Sequence, residues 1–110
     1  MARVVRMGGE GRGGASLVHF DRAEMFRLLT LYSRRVADGE WRDYAIDQQP
    51  GRCIFSIFRN ALDRPIYTIT KRTDRGVGFE VSSGPRRLTR AQTLEEALLV
   101  FDRALRVVTH

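Results

Sequence analysis

Asp21 and Glu24, three residues apart, constrain this chain more than any other pair. At that spacing each side chain accepts a hydrogen bond from the backbone N–H of the other residue. Two donors at a helix start are thereby satisfied, which is the capping-box arrangement. Phe20 before the cap and Met25 behind it supply a hydrophobic staple that sets the angle of entry. Apolar residues then recur at Met25, Leu28, Leu29, Tyr32 and Val36, the spacing of one helical face, while Arg22, Arg27, Arg34 and Arg35 fall largely off it. Gly39 is expected to stop the helix, because only glycine enters the left-handed position beyond a helix end without a steric cost. Trp41 follows, and its size suits a plug over the helix end and the sheet edge.

Beyond Trp41 the pattern changes to period two. Tyr44 and Ile46 alternate with Ala45 and Asp47, and Gln49-Pro50-Gly51-Arg52 suits a turn with Pro second and Gly third. Cys53 to Arg59 reads as the strongest strand, apolar on both faces. Asn60 to Pro65 reads as a loop. Ile66 to Arg72 is rich in β-branched and aromatic residues. Thr73-Asp74-Arg75-Gly76 has hairpin length, Val77, Phe79 and Val81 alternate with small or polar residues, and Arg87-Leu88-Thr89 closes the series after a Ser83-Gly84-Pro85 turn. Thr93 and Glu96 repeat the capping-box spacing. Leu94, Ala97, Leu98, Phe101, Ala104, Leu105 and Val108 then form a second helical stripe. The order is helix, strand meander, helix, and short connections favour pairing of sequential strands. The expected fold is α+β: a four- to five-stranded antiparallel sheet with an N-terminal and a C-terminal helix on one face. Tyr44, Ile46, Phe55, Ile57, Tyr67, Ile69, Phe79 and Val81 then face the helices. Ile54, Ser56, Phe58, Thr68, Thr70 and Arg72 are left on the open face.

Phe20-Asp21-Arg22, Glu40-Trp41-Arg42-Asp43-Tyr44-Ala45-Ile46-Asp47 and Phe55-Ser56-Ile57-Phe58-Arg59 resemble a family of small uncharacterised alphaproteobacterial proteins, known as a domain of unknown function. The similarity runs over roughly residues 18–108, and the Trp-Arg-Asp-Tyr run is its most specific part. The resemblance implies a bacterial, cytoplasmic protein. It implies no activity, so no functional residue carries over from it.

At 110 residues the chain suits one core. Residues 1–15 hold Gly8, Gly9, Gly11, Gly13 and Gly14 with Arg3, Arg6 and Arg12. So much glycine has a high ordering entropy and little apolar area to offset it. The expectation is a flexible Gly/Arg-rich tail at 1–15 and a single domain at 16–110, with a short edge strand at Leu17–Phe20. Gly9, Gly11 and Gly14 match G-x-G-x-x-G formally. That pattern binds dinucleotides only inside a βαβ unit whose helix opens at once. Here Ser16-Leu17-Val18-His19-Phe20 intervenes, and the sequence offers no second parallel strand. No cofactor is expected.

Cys53 stands alone, which excludes an intramolecular disulfide and a secreted disulfide framework. No stretch approaches a membrane span, and Met1 to Met7 lacks a secretory apolar region, so a soluble cytoplasmic protein without membrane partners is expected. A catalytic cysteine needs a partner and an accessible electropositive setting, whereas Cys53 belongs to a core-facing strand pattern. His19 and His110 are the only histidines, and no Cys/His spacing suits zinc. Asp43 and Asp47 share a strand face. Nothing near them in sequence would hold a metal or raise one carboxyl's pKa for acid–base work. The reading is of a chain that is not an enzyme, with no catalytic and no metal-binding residues.

Two features remain. The net charge is +6, but Lys71 is the only lysine among 19 basic residues, a bias that also follows from GC-rich coding. Six of the basic residues, Lys71, Arg72, Arg75, Arg86, Arg87 and Arg90, gather around two turns, where they could track phosphates. Ile54 and Phe58 give the open face an apolar element suited to a dimer interface or a protein partner. A lone aromatic there is thin for base stacking, which ordinarily uses two or three. The helix–sheet–helix order is similar to that of double-stranded RNA-binding domains. Those carry lysines at the start of their second helix, where this chain carries Glu95 and Glu96. The leading expectation is therefore a small basic module that binds nucleic acid or another polyanion weakly. The alternative is a protein–protein module, or a homodimer, through the open sheet face.

Overall fold

The computed structural model describes residues 2–7, 16–60, 64–74 and 76–108. Its elements are β1 (Ala2–Met7), α1 (Arg22–Ala37), β2 (Asp43–Gln49), β3 (Arg52–Phe58), β4 (Tyr67–Arg72), β5 (Gly78–Ser83), β6 (Arg86–Ala91) and α2 (Leu94–Val108). Strands β2 to β6 form an antiparallel meander in chain order, and β1 adds a sixth strand beside β2, parallel to it. The fold is α+β, with five antiparallel strands flanked by an N-terminal and a C-terminal helix, as the residue pattern predicts.

Helix α1 begins and ends as its sequence requires. The Glu24 N–H donates to Asp21 Oδ1 and the Asp21 N–H donates to Glu24 Oε1, each at 2.8 Å. At the other end Gly39 has φ +77°. Its N–H donates to the Val36 carbonyl, and the N–H of Glu40 donates to that of Arg35, both at 2.9 Å. These two bonds are the Schellman closure, which needs a left-handed residue at this point. Trp41, 3% exposed, then folds under the helix end. Its ring meets Phe101 of α2 edge-on at 5.5 Å and Tyr67 of β4 at 6.1 Å. The Arg35 guanidinium lies 5.4 Å over it, pairs with Glu40 at 2.8 Å and donates to the Phe101 carbonyl at 3.2 Å. Trp41 is thus the joint at which α1, α2 and the sheet meet.

The remaining core follows the alternation. Ile46, Cys53, Phe55, Ile57, Ile69, Phe79 and Val81 are buried under Leu28 and Tyr32 of α1 and Leu94, Ala97 and Phe101 of α2. Tyr44 and Tyr67 pack against this cluster half-buried. Tyr44 stacks on Phe55 at 4.9 Å and receives the edge of Tyr32 at 4.9 Å.

Two expectations need correction. The stretch assigned to a flexible tail contributes β1 at Ala2–Met7. The β2 edge would otherwise present a row of unpaired backbone groups, and Val4 and Val5 have strand propensity. The glycines of the tail, 8–15, lie outside the described residues. Leu17–Phe20 is not a strand. It makes a single bridge, Leu17 with Pro50, and one bond from the Val18 N–H to the Gln49 carbonyl.

A parallel β1–α1–β2 connection therefore exists where the sequence offered none. The glycines 9, 11 and 14 of the formal motif lie outside the described residues. The helix opens at Arg22, well past Gly14, and its N-terminus is occupied by the carboxylates of Asp21 and Glu24. Those charges would repel a pyrophosphate at the point where such a fold must hold it.

Candidate functional site

The six predicted basic residues do not share one place. Lys71 and Arg72 are neighbours on β4, so their side chains leave opposite faces. Lys71 points towards the helices. Its Nζ lies 2.7 Å from Glu24 Oε1 and 3.0 Å from the His19 carbonyl, with only 15% of the side chain exposed. It ties the sheet to the capping box and leaves little for a ligand. Arg75 lies outside the described residues.

Arg72, Arg87 and Arg90 do converge. All three stand on the open face around Glu80 of β5, with guanidinium-to-carboxylate distances of 3.7, 3.8 and 3.7 Å. The register explains it. Glu80 pairs with Thr70 on β4 and with Arg90 on β6, and a bulge at Val81/Ser82 brings Arg87 opposite Ser82. Glu80 is mostly buried beneath the cluster, whereas the side chains of Arg87 and Arg90 are more than half exposed. Asp74 also bonds Arg72 through Nε and Nη2 at 3.4 Å. First that hydrogen bond and then the charges of Asp74 and Glu80 push the Arg72 pKa above its ordinary value, so it stays a cation throughout. Arg86, exposed at the start of β6, pairs with Ser83 and adjoins Arg87, so alternation turns it to the other face and it does not join the cluster.

One residue belongs here that the sequence reading missed. Arg52 starts β3 directly opposite Arg72. Cys53, Phe55 and Ile57 all point into the core, so Arg52 shares the open face with Ile54, Ser56 and Phe58. The signal lay in the period-two pattern of β3, but assigning Arg52 to the preceding turn hid it. Arg72, Glu80 and Arg90 line an open polar hollow of about 350 Å³ together with Gly76, Val77, Gly78, Ala91 and Gln92.

Ile54 and Phe58 occupy the same face, half-buried. Ile54 sits between Asp47 on β2 and Thr70 on β4, and Phe58 faces Asp43 on β2. Ser56 separates them, so they form two islands rather than one apolar patch. Their polar surroundings suit a mixed contact better than a dry one.

Cys53, Asp43 and Asp47 make contacts within the fold. The Cys53 thiol is fully buried, and burial pushes its pKa up to about 11. The opposing influences of the Phe20 backbone and Lys71 are weaker. Asp43 Oδ1 accepts from the Tyr44 N–H at 2.9 Å, and Asp47 Oδ2 accepts from Gln49 Nε2 at 2.7 Å. Among the described residues no group of three or more His, Cys, Asp or Glu side chains could hold a metal ion, and no helix is long and apolar enough to cross a membrane.

Residues 18–78 match the model of a family described as protein of unknown function DUF2794. That span runs from the lead-in to α1 to the first residue of β5 and covers more than half the chain, so the chain belongs to this family. Comparison with curated proteins and with solved structures gives no match.

Proposed function

We propose that this member of the DUF2794 family is a non-catalytic binding module whose open sheet face takes the phosphate backbone of nucleic acid or a similar polyanion. One observation carries the reading. Arginines from β4 and β6 gather on one open face around Glu80, with the Arg87 and Arg90 side chains 54% and 58% exposed. Guanidinium groups present paired N–H donors that fit phosphate oxygens. Glu80 and Asp74 offset part of the charge, so contact is expected to be weak, with Kd of order 10⁻⁴–10⁻⁶ M as for non-specific phosphate binding. Arg52 lengthens the track at one end. Phe58, the one aromatic on the face among the described residues, offers at most one stacking contact. The setting that fits a free, buried thiol is the reducing cytoplasm, in the bacterial, specifically alphaproteobacterial, source that the resemblance implies.

The polar ring around Ile54 and Phe58 favours this reading over an apolar dimer through the same face. Fluorescence anisotropy with a labelled single-stranded oligonucleotide tests it. Log K should fall linearly with log salt, by roughly 0.7 per phosphate contacted on a single strand. Arg87→Ala with Arg90→Ala should lower that slope by about one to two units, since each lost phosphate contact accounts for roughly one on duplex and less on a single strand. Arg59→Ala with Arg64→Ala, outside the cluster but equal in charge, should change it little. No binding in low salt, or equal losses from the two pairs, would overturn the proposal.

A further inference from the structure

The opposite side of the molecule carries a second surface of different character. Helices α1 and α2 run side by side in the same direction: Arg27 lies 3.7 Å from Glu95, and a turn or two further along Arg35 donates to the Phe101 carbonyl. On their outer side they leave a groove of about 850 Å³, more than twice the polar hollow on the sheet. Its apolar part is Phe26, Leu31, Leu98 and Leu99. Among the described residues four large hydrophobic side chains are exposed, and two of them, Phe26 at 71% and Leu99 at 49%, stand here. Exposed apolar area of this kind, rimmed by charge, marks an interaction surface.

The rim is divided by sign. The α1 wall carries Arg22, Arg27 and Arg34, and the α2 wall carries Glu95 and Asp102. Arg27 and Glu95 pair across the groove, while Arg22, Arg34 and Asp102 form no ion pair among the described residues. A surface with one basic and one acidic wall is complementary to itself. A two-fold axis running along the helices lays α1 of one copy over α2 of the other, arginine over carboxylate. A two-fold axis across the helices would lay α1 over α1, arginine over arginine, at a cost in repulsion. The charge pattern thus selects one arrangement.

We infer that the α1–α2 groove is a homodimer interface, in which Phe26 and Leu99 of each protomer fill the groove of a second copy and α1 lies against the partner's α2. The interface uses the face away from the arginine cluster and is independent of polyanion binding.

Light scattering after size exclusion tests it. The wild-type chain is expected at twice its own mass at micromolar concentration. Phe26→Glu with Leu99→Glu should reduce it to the single mass with an unchanged circular dichroism spectrum, since both side chains are exposed and no core contact is lost. Charge reversal gives the decisive arm. Arg22→Glu with Arg34→Glu makes the unpaired positions of the α1 wall acidic like the α2 wall, leaving Arg27 with Glu95, and Glu95→Lys with Asp102→Lys makes the α2 wall basic like the α1 wall. Each variant alone should be monomeric, and an equimolar mixture of the two should regain the double mass. A monomeric wild type overturns the inference, whether or not the groove takes another partner. So does a mixture that fails to associate. A dimer that survives Phe26→Glu with Leu99→Glu but is split by Phe58→Glu would move the interface to the sheet and overturn it equally.

Discussion

Trp41 touches Tyr32, Tyr67, Phe101 and the Arg35 guanidinium, so its loss opens a cavity shared by three elements. Trp41→Ala is expected to cost about 3–5 kcal/mol in chemical denaturation. Gly39→Val should cost less, about 1–2 kcal/mol: space is free around the Cβ position, and the penalty comes from the left-handed backbone alone. Tyr32 behaves in the opposite sense. Its hydroxyl is buried without a hydrogen-bond partner, so Tyr32→Phe should leave stability unchanged or raise it by about 1 kcal/mol. Cys53 and Tyr32 are expected to make the fold less stable at alkaline pH. Burial raises both pKa values, Cys53 to about 11 from an ordinary 9.0. A group whose folded pKa is raised keeps its proton in the folded state while the unfolded chain has released it. The unfolded state is then favoured as pH rises, starting near 9 and reaching its full extent near 11 for the thiol. Thermal melts should show Tm falling across that window, and Cys53→Ala should flatten part of the fall. In the folded protein at pH 8 the thiol should resist alkylation.

At the scale of elements, the sequence was legible where a physical device is local. The Asp21/Glu24 box, the Gly39 stop and the period-two runs of β2 to β5 each depend on residues a few positions apart, and all appear as expected. The inward set Ile46, Phe55, Ile57, Ile69, Phe79 and Val81 followed from alternation alone. What escaped were properties of pairing between distant segments. β1 pairs with the edge of β2, and within residues 1–15 only the Val4-Val5 pair hints at it. Lys71 was grouped with Arg72 by adjacency, although neighbouring strand residues point apart and Glu24, remote in sequence, claims the lysine. The Glu80 cluster depends on the β5–β6 bulge, which only register reveals. Deleting residues 1–15 should therefore bare the β2 edge. Tm should fall by roughly 4–8 °C if the strand contributes about 1 kcal/mol, and amides of β2 should exchange faster. An unchanged Tm would mean that β1 adds nothing to stability.

At the scale of the whole molecule, the arginine cluster and the exposed apolar groove stand on opposite sides. The sheet face collects Arg52, Arg72, Arg87 and Arg90, and the helix face holds the exposed apolar groove with its walls of opposite sign. A dimer through the helices would turn two arginine faces outward, where one long polyanion could engage both and gain by avidity. The bland reading of arginines on β6 is protection of an edge strand from pairing with other chains. That role accounts for Arg86, Arg87 and Arg90 but not for Arg72 and Arg52, which stand on interior strands of the same face. The most direct test is a nitrogen-15 chemical-shift titration of the protein with a short single-stranded oligonucleotide in low salt. Binding on the open face predicts shifts concentrated in the backbone amides of β4, β5 and β6 and the Nε–H groups of Arg72, Arg87 and Arg90, with α1 and α2 unmoved. Shifts spread evenly over every exposed arginine, or centred on Arg22, Arg27 and Arg34 of α1, would contradict it.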